Sequence, residues 1–227
     1  MNEYVLDNPI WHSLCSHHVK FSLGDTLAKR YRSDVAPFVA LDKPTLASKT
    51  ALASLITTDE VVYLLGLHSL SLPGVKVENH GSIMQMIWQG AVIADADVKN
   101  IERLTEADAP DMLALTTLAF PGYFRARTHK LGAYFGIRVN GLLVAMAGER
   151  MSLPGYQEVS AVCTHPDFTG RGYAQHLVRM VVKEMLHRGI VPFLHVGQEN
   201  KHAQRIYEKL GFITRRSLPL LRLTREA

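Results

Sequence analysis

A chain of 227 residues with 47% hydrophobic and 20% charged residues has the balance of a globular protein, long enough for one large domain or two small ones. Its 25 Lys and Arg against 21 Asp and Glu leave a net charge of +4, with the basic residues scattered rather than clustered, which argues against a nucleic-acid footprint and suits a small anionic ligand. No apolar run reaches the ~20 residues of a membrane helix, and Met1 to Asp7 does not read as a secretory signal, so the expectation is a cytoplasmic protein with no membrane partner and with Cys15 and Cys163 reduced.

In the first half, the pattern predicts a helix within Leu14 to Tyr31, a strand over Val35 to Leu41, a helix over Thr45 to Leu55, and strands at Val61 to Leu65 and Ser82 to Trp88. This reads as a smaller α/β unit of its own, residues 1–98, with a boundary near Ala94 to Asn100 before a second unit, residues 99–227. The grouping of His12, Cys15, His17 and His18 fits no metal-ligand spacing, and no metal is expected.

The second half is more regular. Ile101 to Leu104 is a short strand, Thr105 to Asp108 has capping-box spacing, and a helix follows through Met112, Leu115 and Ala119 until Pro121-Gly122 stops it. Ala133 to Val139 and Leu142 to Ala147 flank Asn140-Gly141, a strong hairpin signal, and Leu153-Pro154-Gly155 turns the chain into Tyr156 to Thr164. Three antiparallel strands in a row result. A glycine-bearing loop, Asp167 to Gly172, then leads into an amphipathic helix ending at His187, with Leu177, Val181 and Met185 in one apolar row and Ala174, Val178 and Val182 in the next. Val191 to Val196 is a strand, Asn200 to Leu210 a helix, and two short strands near Phe212 and Leu218 to Leu223 finish the chain.

The loop carries the chemistry. A strand ends at Pro166, and Gly170 and Gly172 then let the backbone approach a ligand so that successive N–H groups converge on one anion at a helix N-terminus. No Gly-Lys-Ser/Thr follows, which excludes a Walker loop, and the antiparallel strand before it excludes a Rossmann turn. Thr164-His165-Pro166 with Thr169-Gly170-Arg171-Gly172-Tyr173-Ala174 resembles the pyrophosphate motif of the GNAT acetyltransferase superfamily, departing from it at Thr169, where the family prefers Gln or Arg. Asn200-Lys201-His202-Ala203, Tyr207 and Gly211-Phe212 are similar to the same family's later Asn-x-x-Ala-x-x-x-Tyr-x-x-x-Gly-Phe. The resemblance covers about Ile101 to Leu223 and extends to the branch in which a degenerate N-terminal half precedes the catalytic one, as in glycine N-acyltransferase-like proteins.

That resemblance implies an α/β fold, a mixed, mainly antiparallel sheet flanked by helices, and an acetyl-CoA-dependent N-acetyltransferase acting by direct attack in a ternary complex. The acceptor is expected to be a small primary amine such as an amino acid; an amine on a protein is the second reading, and a catalytically silent CoA-binding module the third. A homodimer is compatible with it. Val162, Cys163, Thr164, Thr169, Gly170, Arg171, Gly172, Tyr173, Ala174, Asn200, Ala203 and Tyr207 would hold the co-substrate, a backbone N–H near Val162 to Thr164 would meet the oxyanion, and Tyr207 would protonate the thiolate. Glu158 is the candidate base, with Glu149 in reserve and a plain ion pair as the alternative role. By strict alternation Tyr156, Glu158, Ser160, Val162 and Thr164 share one face, which puts Cys163 on the other, as a core residue. Phe124, Arg127 and His195 are candidates for the acceptor site, with Arg127 suited to a substrate carboxylate.

Overall fold

The computed structural model describes residues 3–58, 60–91 and 100–225. In chain order the elements are α1 (Pro9–Leu14), β1 (Ser22–Gly24), β2 (Ala28–Tyr31), β3 (Phe38–Leu41), α2 (Leu46–Leu55), β4 (Val61–Leu65) and β5 (Val75–Trp88). They continue with β6 (Ile101–Leu104), α3 (Ala109–Ala119), β7 (Tyr134–Val139), β8 (Leu142–Leu153), β9 (Tyr156–Thr164), α4 (Tyr173–His187), β10 (Val191–Gly197), α5 (Lys201–Lys209) and β11 (Phe212–Arg225). Among the described residues all the strands join one sheet in the order β1-β2-β3-β4-β11-β5-β10-β9-β8-β7-β6. The pairs are antiparallel except β3–β4 and β9–β10. No described helix is long and apolar enough to cross a membrane.

From β6 to α5 the second half forms as its sequence predicts, for local reasons. Asn140 and Gly141 both take positive φ, 50° and 82°, as a tight hairpin turn demands. Thr105 and Asp108 close the expected capping box before α3. Gly148 lies under the Tyr134 ring: a Cβ there would sit 2.2 Å from Cδ1 of that ring, so only glycine lets the tyrosine lie flat on β8.

Three expectations fail. The Leu14 to Tyr31 segment is not a helix, because α1 ends at Leu14 and Asp25 builds a turn, its Oδ1 accepting from the N–H of Leu27 (2.7 Å) and Ala28 (3.1 Å). The third strand begins only at Phe38, after Pro37. The two short C-terminal strands are one, β11, whose register shifts between Thr214 and Arg216 and between Pro219 and Leu221; the second lets Pro219 sit in a strand it would otherwise break. The boundary expected at residues 98/99 falls in 92–99, outside the described residues. On the sheet, β5 from before it pairs with β10 and β11 from after it.

Two layers of core result. One face buries Ile10 of α1 with Tyr31, Phe38, Met151 and Phe193, and continues under α3 through Met112, Leu115, Tyr134 and Cys163. The other face buries Leu177, Val181 and Met185 of α4 and Tyr207 of α5 against Phe135, Ala145, Val159 and Leu194, and Leu52 of α2 against Val39, Val62 and Leu223. Each such aliphatic side chain contributes on the order of 1.5–3 kcal/mol by leaving water.

Candidate active site

The parallel pairing of β9 with β10 ends early. It runs from Val191 opposite Tyr156 to Leu194 opposite Val159 and stops there, so beyond Ser160 the two strands diverge. On its other edge β9 is irregular at the same place: Met146 pairs with Cys163 and Gly148 with Ser160, leaving Ala161 and Val162 opposite Ala147 alone. This is a β-bulge, and Ala161 takes φ +53°, a left-handed conformation that costs an L-residue about 1–2 kcal/mol. Strain of this kind collects at functional sites.

The bulge resets the alternation. Val162 packs toward α4 with Val159, while Ala161 and Cys163 turn into the cluster beneath α3. The expectation that Glu158, Val162 and Thr164 share a face therefore fails, because one inserted residue exchanges the faces after it. Cys163 is a core residue as expected, though not for the reason of alternation; burial pushes its thiol up to about 12.

In the gap lies a cavity of about 350 Å³ whose walls come from both faces of the sheet. Val159, Val196, Ala203 and Tyr207 belong to the α4–α5 side, while Phe38, Phe120, Tyr123 and Ala161 belong to the α1–α3 side. Val162, His195 and Asn200 also line it. A second pocket, with His80, Gln198 and Glu199, shares Ile83, Tyr123, Gly197 and Leu220 with the first and continues it outward.

Asn200 caps α5, its Oδ1 accepting from the Ala203 N–H at 3.0 Å, which leaves its amide nitrogen for a ligand. Tyr207 is 9% exposed, set edge-on to Phe212 at 6.0 Å, and burial pushes its phenol up to about 12. It therefore keeps its proton throughout the neutral range. Thr164, Thr169, Gly170, Arg171, Gly172, Tyr173 and Ala174 form the end of β9, the loop and the first turn of α4, outside the cavity lining. Gly170 and Gly172 have φ of +75° and +77°, with no atom within 4 Å of a Cβ at Gly170, so the backbone is open to an anion there. The first N–H groups of α4 lack intrahelical partners and point the positive end of the helix dipole at the same place. Thr169 is spent on the Pro166 carbonyl (3.2 Å), and Arg171 stacks over Phe168 at 4.9 Å.

Glu158 is where the sequence reading changes most. It is fully buried, does not line the cavity, and accepts from four donors: Arg150 Nε (2.8 Å) and Nη2 (2.7 Å), His195 Nδ1 (2.7 Å) and the Met151 N–H (3.2 Å). Burial opposes its charge, but the guanidinium and the imidazole outweigh that and hold the carboxyl well below the usual carboxylate range. All its lone pairs are occupied, so it is not placed to take a proton from an acceptor. His195 is spent as well. Gln85 Nε2 donates to its Nε2 (3.1 Å) and to the Leu6 carbonyl (2.8 Å), which assigns the ring proton to Nδ1, facing Glu158. Glu149, the reserve base, lies elsewhere, bound to Arg188 and to the Ala133 N–H (3.2 Å).

Two other candidates also leave the site. Phe124 is buried edge-on to Tyr134 at 5.8 Å, and Arg127 pairs with Asp34 at 2.9 Å; neither lines the cavity. The sequence reading missed Arg150, Phe38, Phe120 and Tyr123. Arg150 had only a partial signal: a regular hairpin at Leu153-Pro154-Gly155 puts Met151 opposite Glu158, and the register shift between Glu149 and Ser152 is what brings Arg150 onto the carboxylate. Phe38 had none, because only non-local strand order brings it there. Among the described residues no group of three or more His, Cys, Asp or Glu is arranged to hold a metal ion.

The family model described as FR47-like protein matches residues 134–218, from β7 into β11. Among solved structures, the chain is 36% identical to a GNAT-family protein from Novosphingobium aromaticivorans, over 98% of this chain and 99% of that one, with a TM-score of 0.91. The fold is shared at lower identity by a GCN5-related N-acetyltransferase from Kribbella flavida (15%, covering 92% and 94%, TM-score 0.60). It is shared also by a GNAT-family acetyltransferase from Colwellia psychrerythraea (11%, covering 88% and 85%, TM-score 0.53). No curated protein matches the chain.

Proposed function

Since this chain belongs to the GNAT family of acetyltransferases, we propose that it moves an acetyl group from acetyl-CoA to a primary amine, both bound at once in the gap between β9 and β10. The observation that carries this reading is the cavity lined from both faces of the sheet, which lets two ligands meet from opposite sides. Acetyl-CoA supplies the activated acyl carbonyl. The residues fit it: the loop at Gly170 and Gly172 with the N-terminus of α4 suits a pyrophosphate, and Asn200 and Ala203 line the way inward.

From Ser160 to Val162, β9 has no partner on its β10 side, so backbone N–H groups there can meet negative charge growing on a carbonyl oxygen, worth about 3–4 kcal/mol per donor. Tyr207, protonated and in the lining, holds the proton for a departing thiolate. Glu158 and Arg150 position His195 and the cavity wall rather than taking protons. Apolar walls beside a guanidinium disfavour an ammonium ion, so the cavity itself helps the acceptor shed its proton, and Glu199 at the outer pocket offers an exit for it. In this reading residues 1–98 are the degenerate N-terminal unit of a glycine N-acyltransferase-like arrangement and residues 99–227 the catalytic unit; Phe38 and Ile83 in the cavity wall support a role for the first in enclosing the acceptor.

The test is amine-dependent thiol release from acetyl-CoA, with both substrates varied. Intersecting reciprocal plots are expected, and parallel ones would exclude direct attack. The saturation of Glu158 and His195 favours one competing reading, a CoA-binding module without turnover; it predicts CoA binding with no release for any amine.

A further inference from the structure

We propose that the acceptor is an α-amino acid with an apolar side chain, its carboxylate held by the free edge of Arg150. This rests on the transferase reading and concerns the same cavity. Arg150 spends Nε and one N–H of Nη2 on Glu158. Among the described residues its Nη1 has no hydrogen-bond partner, although the side chain is only 14% exposed and lines the cavity. The guanidinium plane is fixed on its other side by the Phe38 ring, 4.6 Å from its carbon. A planar donor pinned by an ion pair and an aromatic face, with its remaining N–H groups toward a cavity, is built to take a carboxylate.

The rest of the lining agrees. Among the described residues no carboxylate lines the inner cavity, so nothing in that lining favours a polyamine or a second ammonium group. Phe38, Ile83, Phe120, Tyr123 and Leu220 offer an apolar surface for a side chain. The spacing agrees as well. Arg150 is anchored at Glu158, three residues from the Ala161 bulge, roughly 10 Å along the strand. That length holds one charged hydrogen bond, the two-bond spacer of an α-amino acid and one attack distance.

The test is a specificity panel run by thiol release with acetyl-CoA: leucine, methionine and phenylalanine, each beside its carboxamide, its decarboxylated amine and a dipeptide that begins with it. The free amino acids are expected to exceed their three counterparts in kcat/KM by about 10–100-fold, the discrimination of a lost hydrogen bond to a charged group. Carboxamides, plain amines or dipeptides used equally well would overturn the proposal and leave the transferase reading intact. No thiol release with any amine would sink both. The paired change Arg150→Gln with Glu158→Gln removes both charges together; in the folded double variant the acid-to-amide ratio should fall toward one, and an unchanged ratio overturns the role of Arg150. If that variant does not fold, the wild-type panel decides.

Discussion

Glu158 takes its chemistry from what surrounds it more than from its position in sequence. An acid with four donors and no exposure is a fixed negative charge, and its removal strands Arg150. Glu158→Gln should therefore destabilise the protein by about 3–5 kcal/mol in urea unfolding, while the double change with Arg150→Gln recovers much of that loss. A Glu158→Gln protein as stable as wild type would show that the pair is not the buried unit described. Tyr207 offers the opposite case. Its hydroxyl has no protein partner among the described residues, so Tyr207→Phe should leave stability nearly unchanged. It should lower kcat by about 10²-fold or more with KM for acetyl-CoA little affected. The motif made Tyr207 legible before any coordinates, because helical spacing sets which residues share its face. It could not reveal that Glu158 is saturated, since all four of its donors depend on a hairpin register or on a strand that arrives from elsewhere.

Among the elements, the seam between α1 and the sheet holds a buried polar cluster. His18 Nδ1 meets Ser13 Oγ (2.9 Å) and the Tyr31 hydroxyl (3.0 Å), and His18 Nε2 meets the Leu131 carbonyl at 3.2 Å. Burial lowers His18 to about 4 from its ordinary 6.5. The folded protein thus keeps it neutral down to about pH 4 while the unfolded chain protonates it near 6.5. The unfolded state binds more protons in between, and stability should fall as pH drops from 6.5 to 4, by on the order of 3 kcal/mol from this residue. Urea midpoints at pH 7 and 4.5 should show this slope in wild type and a shallower one in His18→Gln; equal slopes would remove His18 from the account. The His12, Cys15, His17 and His18 grouping was visible as a cluster, but that His18 would bind Tyr31 of β2 and the Leu131 carbonyl before β7 depended on long-range pairing. The bulge at Ala161 was invisible for a related reason: period-two reasoning has no term for an inserted residue, and alanine gives no warning of a positive φ.

For the molecule as a whole, co-substrate binding should couple to folding, because the cavity and the loop draw on α4, α5, β9 and β10 together. CoA at a hundred times its Kd should add about 2.7 kcal/mol, a rise in Tm of roughly 5–10 °C for a chain of this size. No shift at millimolar CoA would undo the functional reading. One continuous sheet also means that β5 and β11 tie the N-terminal elements to β10 and β9, so that stabilisation should be felt in a single cooperative transition.

Chain order, spacing and turn residues were enough to find the meander from β7 to β9, the glycine loop before α4, the α4 and α5 faces and the family they resemble. All of these are set within about twenty consecutive residues, where helical and strand periods and glycine conformations act locally. Three things depend on contacts between residues far apart in the chain: the face on which Cys163 lies, the Arg150–Glu158–His195 chain, and the wall that Phe38 and Ile83 add to the cavity. They follow from strand order and register, and those come from how distant segments bury their apolar faces together. The glycine loop before α4 was therefore readable from residue types alone, whereas the cavity between β9 and β10 exists only once the sheet has closed around it.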